Sequence, residues 1–292
     1  MSRYKSVKIA STLGIIGNIF LLIIKGIIGF ITNSQAMIAD AFNSVGDIFS
    51  SVMTFIGNKI ASVPSDEDHN LGHGKAEYIY SMLISIFMIL TALVVLKNSI
   101  SSIFNHDNYS FSIWLIVVCL TTMLTKLCLF IYTYKLSKKQ NNLLIEANSK
   151  DHRNDILVTF STLIASILAY YNICILDGIV GSIIALWMII EGIKIYIKSY
   201  DVLMDKAISS DLKDRVYEII KTHKEIKKVI HFNSTPIGYK YQISFTIYVD
   251  GNLSTFESHE IADNLEKEID KKIDEIYLTV IHVNPMEVKN DE

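Results

Sequence analysis

Asn43 and Asp47 stand four residues apart, as do Asp151 and Asp155, and both pairs fall in otherwise apolar segments. Residues at i and i+4 share a helix face, so each pair sets two oxygen-bearing groups side by side. A carboxylate near the centre of a bilayer costs about 2.5–3.5 kcal/mol on insertion scales. Three in one bundle need compensation, and a divalent cation supplies it most simply. The competing reading is structural: an aspartate can pair with Lys25 or Lys126, which are also intramembrane, and Asn43 can serve as an interhelical hydrogen bond. A second set, Asp66, His69 and His73, has spacings of three and four. Two imidazoles and a carboxylate suit zinc and tolerate manganese. Against that stands the plainer reading of Asp66-Glu-Asp68 as a polar turn.

These residues need elements to hold them. Half of the residues are hydrophobic, the mean hydropathy is +0.34, and only three prolines occur in 292 positions. Apolar runs cover about 7–31, 36–60, 79–104, 111–134, 154–176 and 178–199. Each is long enough to cross roughly 30 Å of hydrocarbon, which predicts six transmembrane helices. The fifth is expected to begin near Leu143, ahead of its hydropathy start, which brings Asp151 and Asp155 into the membrane. Arg3, Lys5 and Lys8 precede or open the first run, and Lys135, Lys138 and Lys139 follow the fourth, whereas 32–35, 105–110 and 171–175 hold no Lys or Arg. That asymmetry predicts cytoplasmic termini. The first run lacks the small-residue cleavage site of a removable signal peptide.

Past Ser199 the composition changes. Residues 200–292 carry a formal charge of −6, against +3 for residues 1–199. Helical periodicity over 209–224 and 254–272, with strand-like runs at 227–233, 239–249 and 276–283, predicts an αββαβ domain, α+β and ferredoxin-like in outline. The expected division is a transport domain over 1–205 and a cytoplasmic domain over 206–292. Cys119, Cys128 and Cys174 read as small buried hydrophobes, with no Cys-x-x-Cys pair among them. There is no glycine-rich phosphate loop and no His-Glu-x-x-His, so neither an ATP-driven machine nor a metallohydrolase is expected. No enzyme activity, catalytic cofactor or nucleic-acid partner is predicted.

The run Ser34-Gln-Ala-Met-Ile-Ala-Asp-Ala-Phe-Asn-Ser-Val-Gly-Asp47 and the loop Pro64-Ser-Asp-Glu-Asp-His-Asn-Leu-Gly-His-Gly-Lys-Ala-Glu77 resemble the cation diffusion facilitator family. So do Asp151-His-Arg-Asn-Asp155, Leu203-Met-Asp205 and Ile281-His-Val-Asn-Pro285. The resemblance spans essentially the whole chain in order, and Gly72-His-Gly-Lys-Ala-Glu77 is its most specific part. It implies a homodimeric metal/proton antiporter in the cell membrane, with six transmembrane helices and a cytoplasmic metallochaperone-like domain.

By that resemblance the transport site maps onto Asn43, Asp47, Asp151 and Asp155. Zinc exporters of the family usually have His where this chain has Asp151, and often Asp where it has Asn43. Carboxylate and amide oxygens suit manganese better than imidazole does. The combination resembles the bacterial manganese exporters, so the expected substrate is Mn²⁺, with Fe²⁺ or a broader divalent range including Zn²⁺ as the alternative. The resemblance assigns Asp66, His69 and His73 to an accessory loop site. It places His231, His259 and His282 at or beside cytoplasmic-domain metal positions, a set weakened by Asn284, which stands where zinc members often have Asp. Lys75 and Asp205 match a charge pair that holds the membrane and soluble parts together at the dimer interface. The rival of another class is a metal-sensing membrane scaffold that transports nothing.

Overall fold

The computed structural model describes residues 3–31, 35–104, 113–170 and 175–286. The chain divides into two compact units: residues 1–63 with 76–200, and residues 64–75 with 201–292.

The first unit holds six helices, α1 (Arg3–Ile31), α2 (Gln35–Ala61), α3 (Ala76–Phe104), α4 (Ile113–Gln140), α5 (Leu143–Tyr170) and α6 (Ile175–Leu203). Its surface is largely apolar, and its interior holds many polar residues among the apolar ones. Ile16, Ile23, Ile27, Leu124 and Ile183 face outward, whereas Ser11, Asn18, Ser44, Ser51, Thr54, Ser85 and Asn148 are buried. A chain solvated by lipid has this inverted pattern, because outward-facing groups find no water there. Four helices, α1, α3, α4 and α6, carry apolar spans of 25 or 26 residues, long enough to cross a bilayer. Among the described residues α2 and α5 do not meet that measure. They are the helices that carry the paired polar residues.

α5 begins at Leu143, as expected, for a local reason. Asn141 turns the chain with φ of 45°, a left-handed value that asparagine tolerates. Asn142 then caps the helix, its Oδ1 accepting from the Ile145 N–H at 2.9 Å. Cys119 is buried, but Cys128 is exposed on α4. This corrects the buried reading for Cys128: the outer face of a membrane helix takes a small apolar thiol as readily as the core does. Cys174 lies outside the described residues.

In the second unit α7 (Ser210–Thr222), β1 (Lys228–Ile237), β2 (Lys240–Asp250), α8 (Thr255–Lys272) and β3 (Ile276–Met286) follow in the αββαβ order. The sheet order is β1-β2-β3, with β1 and β2 antiparallel and β2 and β3 parallel across the α8 crossover. Ile243, Phe245, Ile247 and Val249 alternate along β2 and are buried with Leu212, Val216 and Ile220 of α7 and Leu265 and Ile269 of α8. Ser209 caps α7, and Ser254 with Glu257 forms a capping box on α8. β1 runs further than its apolar pattern, through Pro236. An edge strand tolerates a proline because its outer N–H groups have no ladder partner to lose.

Candidate metal centre

Three of the four predicted aspartate and asparagine ligands converge. Asp47 on α2 and Asp151 and Asp155 on α5 each offer a carboxylate oxygen, and all three oxygens lie within 4.8 Å of one another. The i to i+4 step on α5 aims its two aspartates at the same point, and α2 lies against α5 to supply the third. Asn18 of α1 fixes the α2 backbone at this level, its Nδ2 donating to the Asp47 carbonyl at 2.9 Å and to Ser51 Oγ at 3.1 Å. Asn43 lies within α2, but its side chain is outside the described residues.

The three carboxylates border a cavity of about 40 Å³, also lined by Lys25, Thr122, Lys126 and Thr159. That is room for about three waters or a partly dehydrated ion. Asp151 Oδ2 is buried without a hydrogen-bond partner among the described residues. A buried carboxylate oxygen left unpaired is costly, and a cation in the cavity removes that cost.

The compensation that the protein itself supplies comes from α4. Lys126 is fully buried, and its Nζ donates to Asp47 Oδ2 at 2.7 Å and to Asp155 Oδ2 at 2.5 Å. Of the two lysines that the sequence offered as partners, Lys126 takes this role. Lys25 donates instead to Ser44 Oγ at 3.2 Å. Lys126 thus bonds two of the three carboxylates and leaves Asp151 without it, so carboxylates outnumber the ammonium that bonds them.

The loop of the second unit gathers its own ligand set. Oxygen and nitrogen atoms of Asp66, His69 and His73 lie within 4.8 Å of one another. Asp66 Oδ1 accepts from the His69 backbone N–H at 2.7 Å, and the two imidazole rings stand 4.4 Å apart. That backbone hydrogen bond holds the Asp66 carboxyl below the usual carboxylate range, with both histidines adding to the effect. That shift favours the ionised carboxylate, the form a metal ligand needs. Lys75 Nζ and Asp205 Oδ1 meet at 2.6 Å, both partly exposed, with Asp205 at φ of 54°.

Among the described residues, His231, His259 and His282 form no converging ligand group of three. His231 sits exposed in a β-bulge with φ of 53°. His282 pairs with Thr246, which pairs in turn with Ile230, so His231 and His282 lie two strand spacings apart, about 10 Å. His259 is exposed on α8.

Residues 11–204 match the family model described as the cation efflux transmembrane domain, and residues 208–286 match the one described as the cation efflux protein, cytoplasmic domain. The chain belongs to the cation efflux, or cation diffusion facilitator, family. Among its curated relatives is the magnetosome protein MamB of Magnetospira sp. (strain QH-2), 25% identical and covering 90% of each chain. The manganese efflux system protein MneP of Bacillus subtilis (strain 168) is 26% identical over 94% of each chain. Its counterpart MneS from the same organism is 27% identical over 99% of this chain and 100% of its own. The family is one of membrane transporters of metal cations, and this cation efflux protein has the corresponding helical membrane region and cytoplasmic domain.

Two features of the fold carried no sequence signal of a role. Glu77, the last residue of the loop motif, is buried and accepts from Arg3 Nη2 and from the Leu143 N–H, both at 3.0 Å. It ties α1, α3 and the start of α5 together, just ahead of the two aspartates. Glu191 of α6 meets Lys150 of α5 at 2.9 Å, and Arg153 lies 4.0 Å over the Trp187 ring. A lone acid in an apolar run marks a partner somewhere but does not say which.

Proposed function

We propose that this chain is a divalent metal/proton antiporter that exports Mn²⁺ from the cytoplasm across the cell membrane, as a homodimer with cytoplasmic termini. The observation that carries the reading is the buried convergence of Asp47, Asp151 and Asp155, three carboxylates with no imidazole among them. An all-oxygen set, with Asn43 as a fourth donor, favours Mn²⁺ over the ions that nitrogen ligands select. Raw affinity still follows the Irving–Williams order, so discrimination against Zn²⁺ rests on coordination number and on which free ion is abundant. The names of MneP and MneS, manganese efflux system proteins, agree with this substrate.

Proton coupling follows from the ligand chemistry. A carboxylate binds metal only when ionised, so metal arrival releases protons and proton arrival expels metal. With no histidine in the set, the three aspartates carry those protons. Metal loads from the cytoplasmic side, the bundle rocks about the fixed site, and protons replace the ion outside. Asp66, His69 and His73 form an accessory metal site on the cytoplasmic loop, and Lys75 with Asp205 forms the charge pair at the hinge. His231, His259 and His282 can bind metal only by drawing on ligands beyond one another.

The bond from Lys126 to two of the three aspartates favours one rival reading, in which the cluster is a structural ion pair inside a metal-sensing scaffold. The two readings part on cellular metal content. Cells lacking their own exporter and loaded with Mn²⁺ should hold less manganese when they express the wild type than when they express Asp155→Asn. Equal manganese in both, at equal membrane expression, would favour the scaffold. Depletion of iron or zinc with manganese unchanged would keep the exporter and replace its substrate.

A further inference from the structure

We propose that Lys126 is a tethered cation that occupies the carboxylate site of the metal-free carrier and must withdraw for a divalent ion to bind. The inference rests on the reading of Asp47, Asp151 and Asp155 as the transport site. Its starting point is competition for the same oxygens. Lys126 Nζ holds Asp47 Oδ2 at 2.7 Å and Asp155 Oδ2 at 2.5 Å, one on each of the two helices that supply the ligands. A metal bound to both carboxylates at about 2.1–2.2 Å stands where the ammonium would lie within a few ångströms of it. Two cations that close, in a cavity of about 40 Å³ with little water, repel strongly.

The side chain has somewhere to go. Thr122 lies one turn before Lys126 on α4, lines the same cavity, and has a buried Oγ1 with no hydrogen-bond partner among the described residues. Side chains on a helix lean toward its N-terminus, so a lysine at 126 reaches over 122. The four-carbon stem and the single-point charge of lysine permit that swing, where a guanidinium fork would hold a carboxylate more rigidly. Thr122 thus offers an acceptor to the displaced ammonium.

The arrangement has a use in a transport cycle. Once the protons have left and before metal arrives, ionised aspartates in a membrane bundle repel one another and favour spreading of the helices that carry them. Lys126 bridges α2 and α5 in that state, so the empty carrier keeps the geometry of the site. The cost is affinity, because every arriving ion must displace the lysine. That cost also speeds release, since the ammonium returns as the metal leaves.

The test is Mn²⁺ binding to the purified full-length protein by titration calorimetry, for wild type, Lys126→Met, Lys126→Gln and Asp155→Asn, each shown to be monodisperse. Displacement predicts that the Met and Gln variants bind Mn²⁺ about tenfold or more tightly than wild type, with KM for Mn²⁺ flux and maximal flux both lowered. Gln keeps a donor toward the carboxylates and is the gentler change. Unchanged or weaker binding in folded Lys126→Gln would overturn the proposal. The wild type offers a check free of folding effects: in a Mn²⁺-loaded structure Nζ should have left Asp155 Oδ2. Finding it still bonded there, with metal present, would also overturn the proposal. If the wild type binds Mn²⁺ with no difference from Asp155→Asn, the transport-site reading itself fails and takes this inference with it.

Discussion

On the proposed reading, Asp151 is the residue whose type bears most on substrate choice. It shares its face of α5 with Asp155, and its Oδ2 is the buried oxygen that finds no partner among the described residues. Replacing it by histidine puts a nitrogen donor into an otherwise all-oxygen set. The expected outcome for Asp151→His is a shift of the Zn²⁺/Mn²⁺ flux ratio toward zinc by about tenfold, measured with both ions in competition. A ratio that does not move would mean that something other than ligand type sets selectivity. The aspartates were legible in the sequence because carboxylates in apolar helices are rare and need a reason. Lys126 was legible only as one of two candidate partners. Nothing in a linear pattern says which of two lysines on different helices reaches the cluster, and only packing separated Lys126, bonded to Asp47 and Asp155, from Lys25, bonded to Ser44.

At the scale of elements, the site depends on where α5 begins. Asn142 caps it, and Glu77 joins its first N–H to Arg3 of α1. Loss of an N-cap side chain costs about 1 kcal/mol. Breaking a buried ion pair costs about 3–5 kcal/mol, because the remaining charge is stranded. Glu77→Ala should therefore lower the melting temperature in detergent well beyond Asn142→Ala, and Mn²⁺ flux should fall with it. Equal melting for the two variants would show that Arg3 finds another partner. The start of α5 near Leu143 could be foreseen, although hydropathy begins about three turns later. The reach of β1 to Ile237 could not, because 233–236 is polar and ends in proline, and only its place at the sheet edge makes that sequence a strand.

At the scale of the whole molecule, the loop between α2 and α3 belongs with the second unit rather than with the helices that flank it. A side-chain carbon on Gly74 would stand 3.0 Å from Gly238 Cα, in the hairpin turn between β1 and β2, so the two backbones approach as only glycines allow. Periodicity cannot reveal such a contact between residues more than 160 positions apart, whereas the αββαβ order of the second unit followed directly from its short alternating runs. The loop site and the Lys75–Asp205 pair thus share one unit with the cytoplasmic domain. The protein is expected to run as a dimer, with light scattering in detergent giving a protein mass twice 33.0 kDa; a protein mass of a single chain would remove the homodimer. The central claim, that Asp47, Asp151 and Asp155 carry Mn²⁺ out in exchange for protons, is tested most directly in proteoliposomes. With a pH gradient imposed and Zn²⁺ and Fe²⁺ alongside, wild-type protein should drive Mn²⁺ flux that follows the gradient and moves protons the other way, and Asp155→Ala should fall to the level of empty vesicles. Mn²⁺ flux indifferent to the gradient, or undiminished in Asp155→Ala, would contradict the account.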